Sequence, residues 1–405
     1  MKKLLLLSII LTTFFNCSEV ETIIEIQEVI LPEIPIISIN TENLSPIVSK
    51  DDYINGVFEI SSDNEDENLA ANLRIRGRGN STWVFPKKPY QIKFDNKETI
   101  LGMPKDKKWI LLANYSDKTM LRNELAFDLS RFSALDWTPE SRFVELFINN
   151  EFLGVYQITQ KVEESSNRVN IGDDGYLLEV DQLQRLDPDD VFFETNNYLF
   201  NIKDPNLDFG DNQYNIIKNY IELTENTLLG DNFTNPTEGY SKYIDVDSFV
   251  DWYLINEITK NNDAIFYSSV YMNYTPGGKL KMGPVWDYDI SLGNINYNNN
   301  ETTDGFWIKK VIWYSRLFED PNFISKVKTR FNYFYDNREL FQESINSNSF
   351  YLNQSQERNF HKWPILGTYI WPNNVFFSTY DEEVIYLKEW LNERLEWLND
   401  NLNEL

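Results

Sequence analysis

Strand-like and helix-like patterns in this chain are segregated, and that separation limits it to an α+β architecture with a β-rich front and a helical back. Between residues 36 and 180 the apolar residues recur with a period of two. Strands are expected at 36–39, 56–60, 73–76, 90–94, 109–112, 143–148, 153–159 and 176–180. One helix interrupts them, capped by Ser116, with Met120, Leu121, Leu125, Ala126 and Leu129 at helical spacing. Asn149-Asn150-Glu151 reads as the turn between two of the strands. Beyond about residue 205 helices dominate, at 214–228, 247–260, 321–334 and 382–402. Pro321 stands where a first helical residue tolerates proline. Val384, Leu387, Trp390, Leu391, Leu395 and Leu398 form one apolar stripe, which reads as core packing. Residues 294–304 are an Asn-rich loop of low complexity. The pattern predicts two lobes of one unit, β-rich over about 35–180 and mainly helical over about 181–405, with a cleft between them.

The charge balance narrows the partners. With 37 Lys plus Arg against 63 Asp plus Glu the formal net charge is -26. Nucleic acid is excluded as a partner, because phosphate-backbone binding needs a basic face. Any anionic ligand must sit in a local basic pocket, with a divalent cation offsetting the field. An aromatic share of 15% and a hydrophobic share of 42% exclude disorder for most of the length.

The N-terminus reads as a processing segment. Met1-Lys2-Lys3 precedes an apolar run over 4–15, too short to span a bilayer, and Cys17 follows. We expect a lipoprotein signal peptide over 1–16, lipidation of Cys17, and a tether over 17–34 that reaches Pro32. The folded domain then covers 35–405, on a lipoprotein held at the outer membrane or cell surface of a Gram-negative cell. Cys17 is the sole cysteine, so no intrachain disulfide can form. His361 is the sole histidine, which rules out histidine dyads; it is expected to pack beside Trp363. Metal chemistry then falls to carboxylates, which suit magnesium or calcium rather than zinc.

Two groups of residues could carry chemistry. Asp263 ends the helix over 247–260, a hairpin follows, and Gly283-Pro284-Val285-Trp286-Asp287-Tyr288-Asp289 comes next. A phosphoryl-transfer site needs one Asp on the acceptor hydroxyl and another on the nucleotide's metal. Equally, Asp263 could cap a turn and the later pair could end a strand. Arg74, Arg76 and Arg78 alternate along a strand and turn, so they share a face and need an anionic partner. That partner is either the chain's own carboxylates or a phosphate chain that Gly77 and Gly79 would admit closely. Lys87, Lys88 and Lys93 lie nearby. Arg122, Asn123 and Glu124 open the first helix and read as a solvated face.

Taken in order, these motifs resemble the CotH kinase family. The resemblance rests on Arg76-Gly77-Arg78-Gly79-Asn80-Ser81-Thr82-Trp83 and Pro86-Lys87-Lys88-Pro89-Tyr90-Gln91-Ile92-Lys93. It extends through 111–114, 117–123, 149–156, Asn167-Arg168-Val169-Asn170-Ile171, 261–263 and 283–294. It implies an atypical protein kinase with a divergent bilobed kinase-like fold, transferring phosphate from ATP to Ser or Thr of a protein. Magnesium or manganese would serve as the metal, with calcium as an alternative. By position, Asp263 corresponds to the catalytic-loop Asp and Asp287 to the metal-binding Asp, with Asp289 a second candidate ligand. Lys93 resembles the phosphate-pairing lysine, Arg76 and Arg78 would flank the nucleotide, and Arg122 and Gln160 join the cofactor-binding set. The chain departs from the family at Gln160, where members usually carry Glu. Ordinary kinases place a metal-binding Asn five residues after the catalytic Asp, and here that position is Ser268. A catalytically silent kinase-fold binding protein and a calcium-stabilised structural protein are the alternative expectations.

Overall fold

The computed structural model describes residues 33–404, together with the backbone pairing of Leu7–Ser8 with Gln27–Glu28. Cys17 and nearly all of the expected signal segment and tether lie outside the described residues. Seven strands close into a barrel: β1 (Ile36–Thr41), β2 (Ile54–Ser61), β3 (Leu69–Gly77), β4 (Tyr90–Ile100), β5 (Met103–Leu112), β6 (Ser141–Ile148) and β7 (Glu151–Gln160). Their order is β1-β2-β3-β4-β5-β7-β6, antiparallel throughout except where β1 closes on β6 in parallel.

The period-two pattern explains the closure. Ile37, Ile39, Phe58, Ile60, Leu73, Ile75, Ile92, Phe94 and Leu111 point inward and are buried. Phe58 meets Phe94 edge-on at 4.9 Å. A closed barrel leaves no strand edge to solvent. Asn149 and Asn150, both at positive φ, make the two-residue turn between β6 and β7 that their sequence announced.

A second, five-stranded sheet lies beside the barrel. It comprises β8 (Tyr176–Val180), β9 (Phe192–Glu194), β10 (Leu199–Asp204), β11 (Val270–Tyr274) and β12 (Lys281–Met282), in the order β9-β10-β8-β11-β12. Thus the last strand read in the front half pairs with strands contributed by the later half.

The helices are α1 (Arg122–Arg131), α2 (Asn212–Leu229), α3 (Val246–Thr259), α4 (Ile312–Leu317), α5 (Pro321–Asp336), α6 (Arg338–Tyr351), α7 (Asn353–Lys362) and α8 (Tyr380–Asn403). Helix α3 is buried on every side along almost its whole length, the signature of a central helix. It packs against α1, α5 and α8. The α8 stripe is core, as expected, and a capping box of Thr379 and Glu382 starts that helix.

Two local expectations are corrected. Ser116 does not cap α1. The Asp117 carboxylate takes that role, accepting from the Arg122 backbone N–H at 2.9 Å, while the Ser116 carbonyl receives Asn373 at 2.7 Å. His361 is exposed, and Trp363 packs edge-on against Tyr115 instead, at 6.0 Å. Among the described residues, no helix is long and apolar enough to cross a membrane.

Candidate active site

Helix α3 delivers its last residues into the acidic loop, and asparagines fix that loop. Asn256 Oδ1 accepts from the Tyr288 hydroxyl at 2.8 Å, and Asn261 Nδ2 donates to the Asp287 carbonyl at 3.2 Å. Asn262 Nδ2 donates to Asp263 Oδ1 at 2.8 Å, while its own Oδ1 receives Asn298 at 2.9 Å and Asn300 at 3.3 Å. The Asn-rich stretch over 294–304 is thus wired to the loop of Asp263. Lys260, at φ 47°, ends α3 and donates to the carbonyls of Asn299 (2.6 Å), Thr302 (2.9 Å) and Asp304 (2.7 Å).

The second acidic segment is held from α1. Asn123 Oδ1 accepts from the Tyr288 N–H at 2.8 Å. Arg122 pairs with Asp117 at 2.6 Å and donates to the carbonyls of Ser291 (3.1 Å) and Leu292 (3.2 Å). Arg122 and Asn123 are buried, so the expected solvated face at the start of α1 is corrected. These side chains brace the turn after Asp289. Asp287 itself sits at φ 71°, a left-handed conformation held by this over-determined setting.

Both acidic segments face one cleft of about 380 Å³, walled on the other side by the open end of the barrel. Asp263, Asp287 and Asp289 line it together with the cations Arg76, Arg78, Lys161, Arg185 and Lys203. The Arg78 guanidinium lies 5.5 Å from the Trp286 ring and Arg76 lies 4.8 Å from that of Tyr53. A Cβ at Gly77 would lie 2.3 Å from the Trp83 ring, so any larger residue there would displace that ring.

The carboxylates feel one another. Burial raises the pKa of Asp287, Asp263 raises it further, and Arg78 and Arg185 oppose. Asp289 is pushed well above the usual carboxylate range by burial, then by Asp287, Asp117 and Asp263. On the basic side, burial takes Lys161 down to about 8. Desolvation also lowers Arg78, opposed mainly by Asp287. Among the described residues, no group of three or more His, Cys, Asp or Glu is arranged to hold a metal alone. Asp287 and Asp289 are hard-oxygen donors with raised pKa values, and they fit a divalent cation whose other ligands are phosphate oxygens and water.

Five of the expected site residues therefore meet: Asp263, Asp287, Asp289, Arg76 and Arg78. Three do not line the cleft. Lys93 points out from β4 between its cross-strand partners Arg74 and Lys108, because Ile92 and Phe94 take the inward positions. Arg122 is consumed by Asp117 and two carbonyls. Gln160 is buried, its Oε1 accepting from the Glu140 N–H at 3.0 Å. Lys161, the next residue, enters the cleft instead, since successive residues leaving a strand face opposite ways. Arg185 and Lys203 lie on a short turn and a strand that no motif marked.

No curated protein matches the chain. A family model described as CotH kinase protein matches residues 74–398, most of the chain. That span takes in every cleft residue named above, and the chain belongs to the CotH kinase family, which suggests a kinase-like function.

Proposed function

We propose that this chain is an atypical protein kinase of divergent bilobed fold. It transfers the γ-phosphate of ATP to a Ser or Thr hydroxyl of an exported or surface protein, and a lipid on Cys17 anchors it to the membrane. The observation that carries the reading is the convergence of Asp263, Asp287 and Asp289 on one cleft with Arg76 and Arg78.

Each residue has a role that its surroundings support. Asp263, one oxygen held by Asn262 and the other by Ser268 at 3.4 Å, orients the acceptor hydroxyl and takes its proton. The acceptor oxygen bonds to the γ-phosphorus as the bond to the bridging oxygen of ADP breaks. Asp287 and Asp289 would hold magnesium or manganese, which when bound neutralises charge on the phosphate oxygens. Arg76, Arg78 and Lys161 bind the phosphate chain, with Trp286 fixing the plane of Arg78.

Incubation with labelled ATP and magnesium or manganese tests the reading. Incorporation into protein should fall by about 10²-fold or more in Asp263→Ala and in Asp287→Ala. A wild type that incorporates nothing overturns it. The silent binding reading is favoured by Ser268 in place of a metal-binding Asn, and it requires that nucleotide leave the melting temperature unchanged. Calcium raising the melting temperature while ATP does nothing would point to the structural reading. For the anchor, labelled palmitate should be incorporated by wild type and lost in Cys17→Ala.

A further inference from the structure

The loop that carries Asp263 is clamped from one side by the turn Leu183–Arg185. The Arg185 guanidinium donates to Ser268 Oγ and lies 4.9 Å from the Tyr267 ring centroid. Gln182 Nε2 adds a bond to the Tyr267 carbonyl at 3.1 Å. Ser268 Oγ in turn donates to Asp263 Oδ2 at 3.4 Å. Arg185 lines the cleft and lies close enough to Asp287 to bear on its charge. A fixed cation therefore stands between the two acidic segments, attached to the residue five places after Asp263.

In ordinary protein kinases that fifth position is an Asn that holds a second magnesium ion. A serine hydroxyl already engaged by a guanidinium offers no such ligand. Resting on the phosphotransfer reading above, we propose that Arg185, seated on Ser268, supplies the positive charge that the second metal gives elsewhere, so that this enzyme uses one divalent ion per nucleotide. Among the cations lining the cleft, Arg185 is the one hydrogen-bonded to the Asp263 loop. Arg78 and Arg76 come from the barrel end, against Trp286 and Tyr53. A guanidinium suits the task because it keeps its charge and presents a planar fork to phosphate oxygens.

The test counts metal as well as turnover. Manganese binding is followed by electron paramagnetic resonance in the full chain with a non-hydrolysable ATP analogue, and one Mn²⁺ per nucleotide is expected. Arg185→Gln, its melting temperature compared with wild type to confirm folding, should lose about 10²- to 10³-fold in kcat with little change in KM for ATP. Millimolar guanidinium should restore part of that loss, which a merely structural role for Arg185 would not permit. Two bound Mn²⁺ in wild type, or an Arg185→Gln variant with full turnover, overturns the proposal. A wild type that neither transfers label nor binds manganese with nucleotide overturns the phosphotransfer reading itself, and this proposal with it.

Discussion

Individual residues here carry a tension between stability and function. Asp289 and Asp287 lie in a concave, partly desolvated setting beside Asp263 and Asp117, and their raised pKa values mean that ionisation costs the fold. A carboxyl with a folded pKa above its unfolded value binds more protons folded than unfolded. Stability therefore declines as pH rises from the unfolded value through the folded one. Asp289→Asn should raise the melting temperature at pH 7.5 by about 1–3 °C while impairing phosphate transfer. The gain should vanish in acid, where wild type is protonated, and scanning calorimetry across pH checks both halves. Lys87 shows the opposite sign. Buried against the Val155 carbonyl and Asn359 Oδ1 (3.0 Å), it is brought down to about 7 by desolvation. Its cost is present below pH 7 and is relieved between there and its unfolded pKa. The melting temperature of Lys87→Met minus that of wild type should accordingly fall between pH 6.5 and 9.

At the scale of elements, order is imposed on segments whose composition promises none. The Asn-rich loop has no apolar pattern, yet Asn298 and Asn300 bind Asn262, and Lys260 gathers three of its carbonyls. The buried Glu257–Arg394 pair at 2.8 Å ties α3 to α8 just behind it, with Arg394 also reaching the Thr303 and Gly305 carbonyls. Lys260→Met should cost about 2–4 kcal/mol by chemical denaturation, since several charge-assisted bonds are lost and their acceptors are left unpaired. Hydrogen exchange should quicken over residues 294–304 and leave the barrel strands unchanged; uniform quickening would deny the loop its tie to Lys260.

Over the whole molecule, what could be read beforehand follows from where the information lies. Barrel strands announce themselves because Ile37 and Ile39, or Ile92 and Phe94, alternate within a few residues. The parallel closure of β1 on β6 joins residues about 110 apart, and no local pattern encodes it. Helices α6 and α7 escape notice because Ser and Asn crowd a sequence with few apolar anchors. Asp263, Asp287, Asp289, Arg76 and Arg78 were legible as motifs. Lys161, Arg185 and Lys203 reach the cleft from scattered positions, each meaningful only after the chain has folded. Arg122 misleads because charge on a helix does not say which side it faces. Lys93, by contrast, stands between the inward Ile92 and Phe94, so its outward side is legible and only the resemblance pointed it to the cleft.

The central claim is that the barrel's arginines and the carboxylates beyond α3 form one nucleotide site. Calorimetric titration of wild type, Asp287→Ala and the double variant Arg76→Ala/Arg78→Ala with MgATP addresses it directly, with folding checked in each. Saturable binding in wild type, weakened by about tenfold or more from either side, is the predicted result. Binding that survives both changes at wild-type affinity would contradict it.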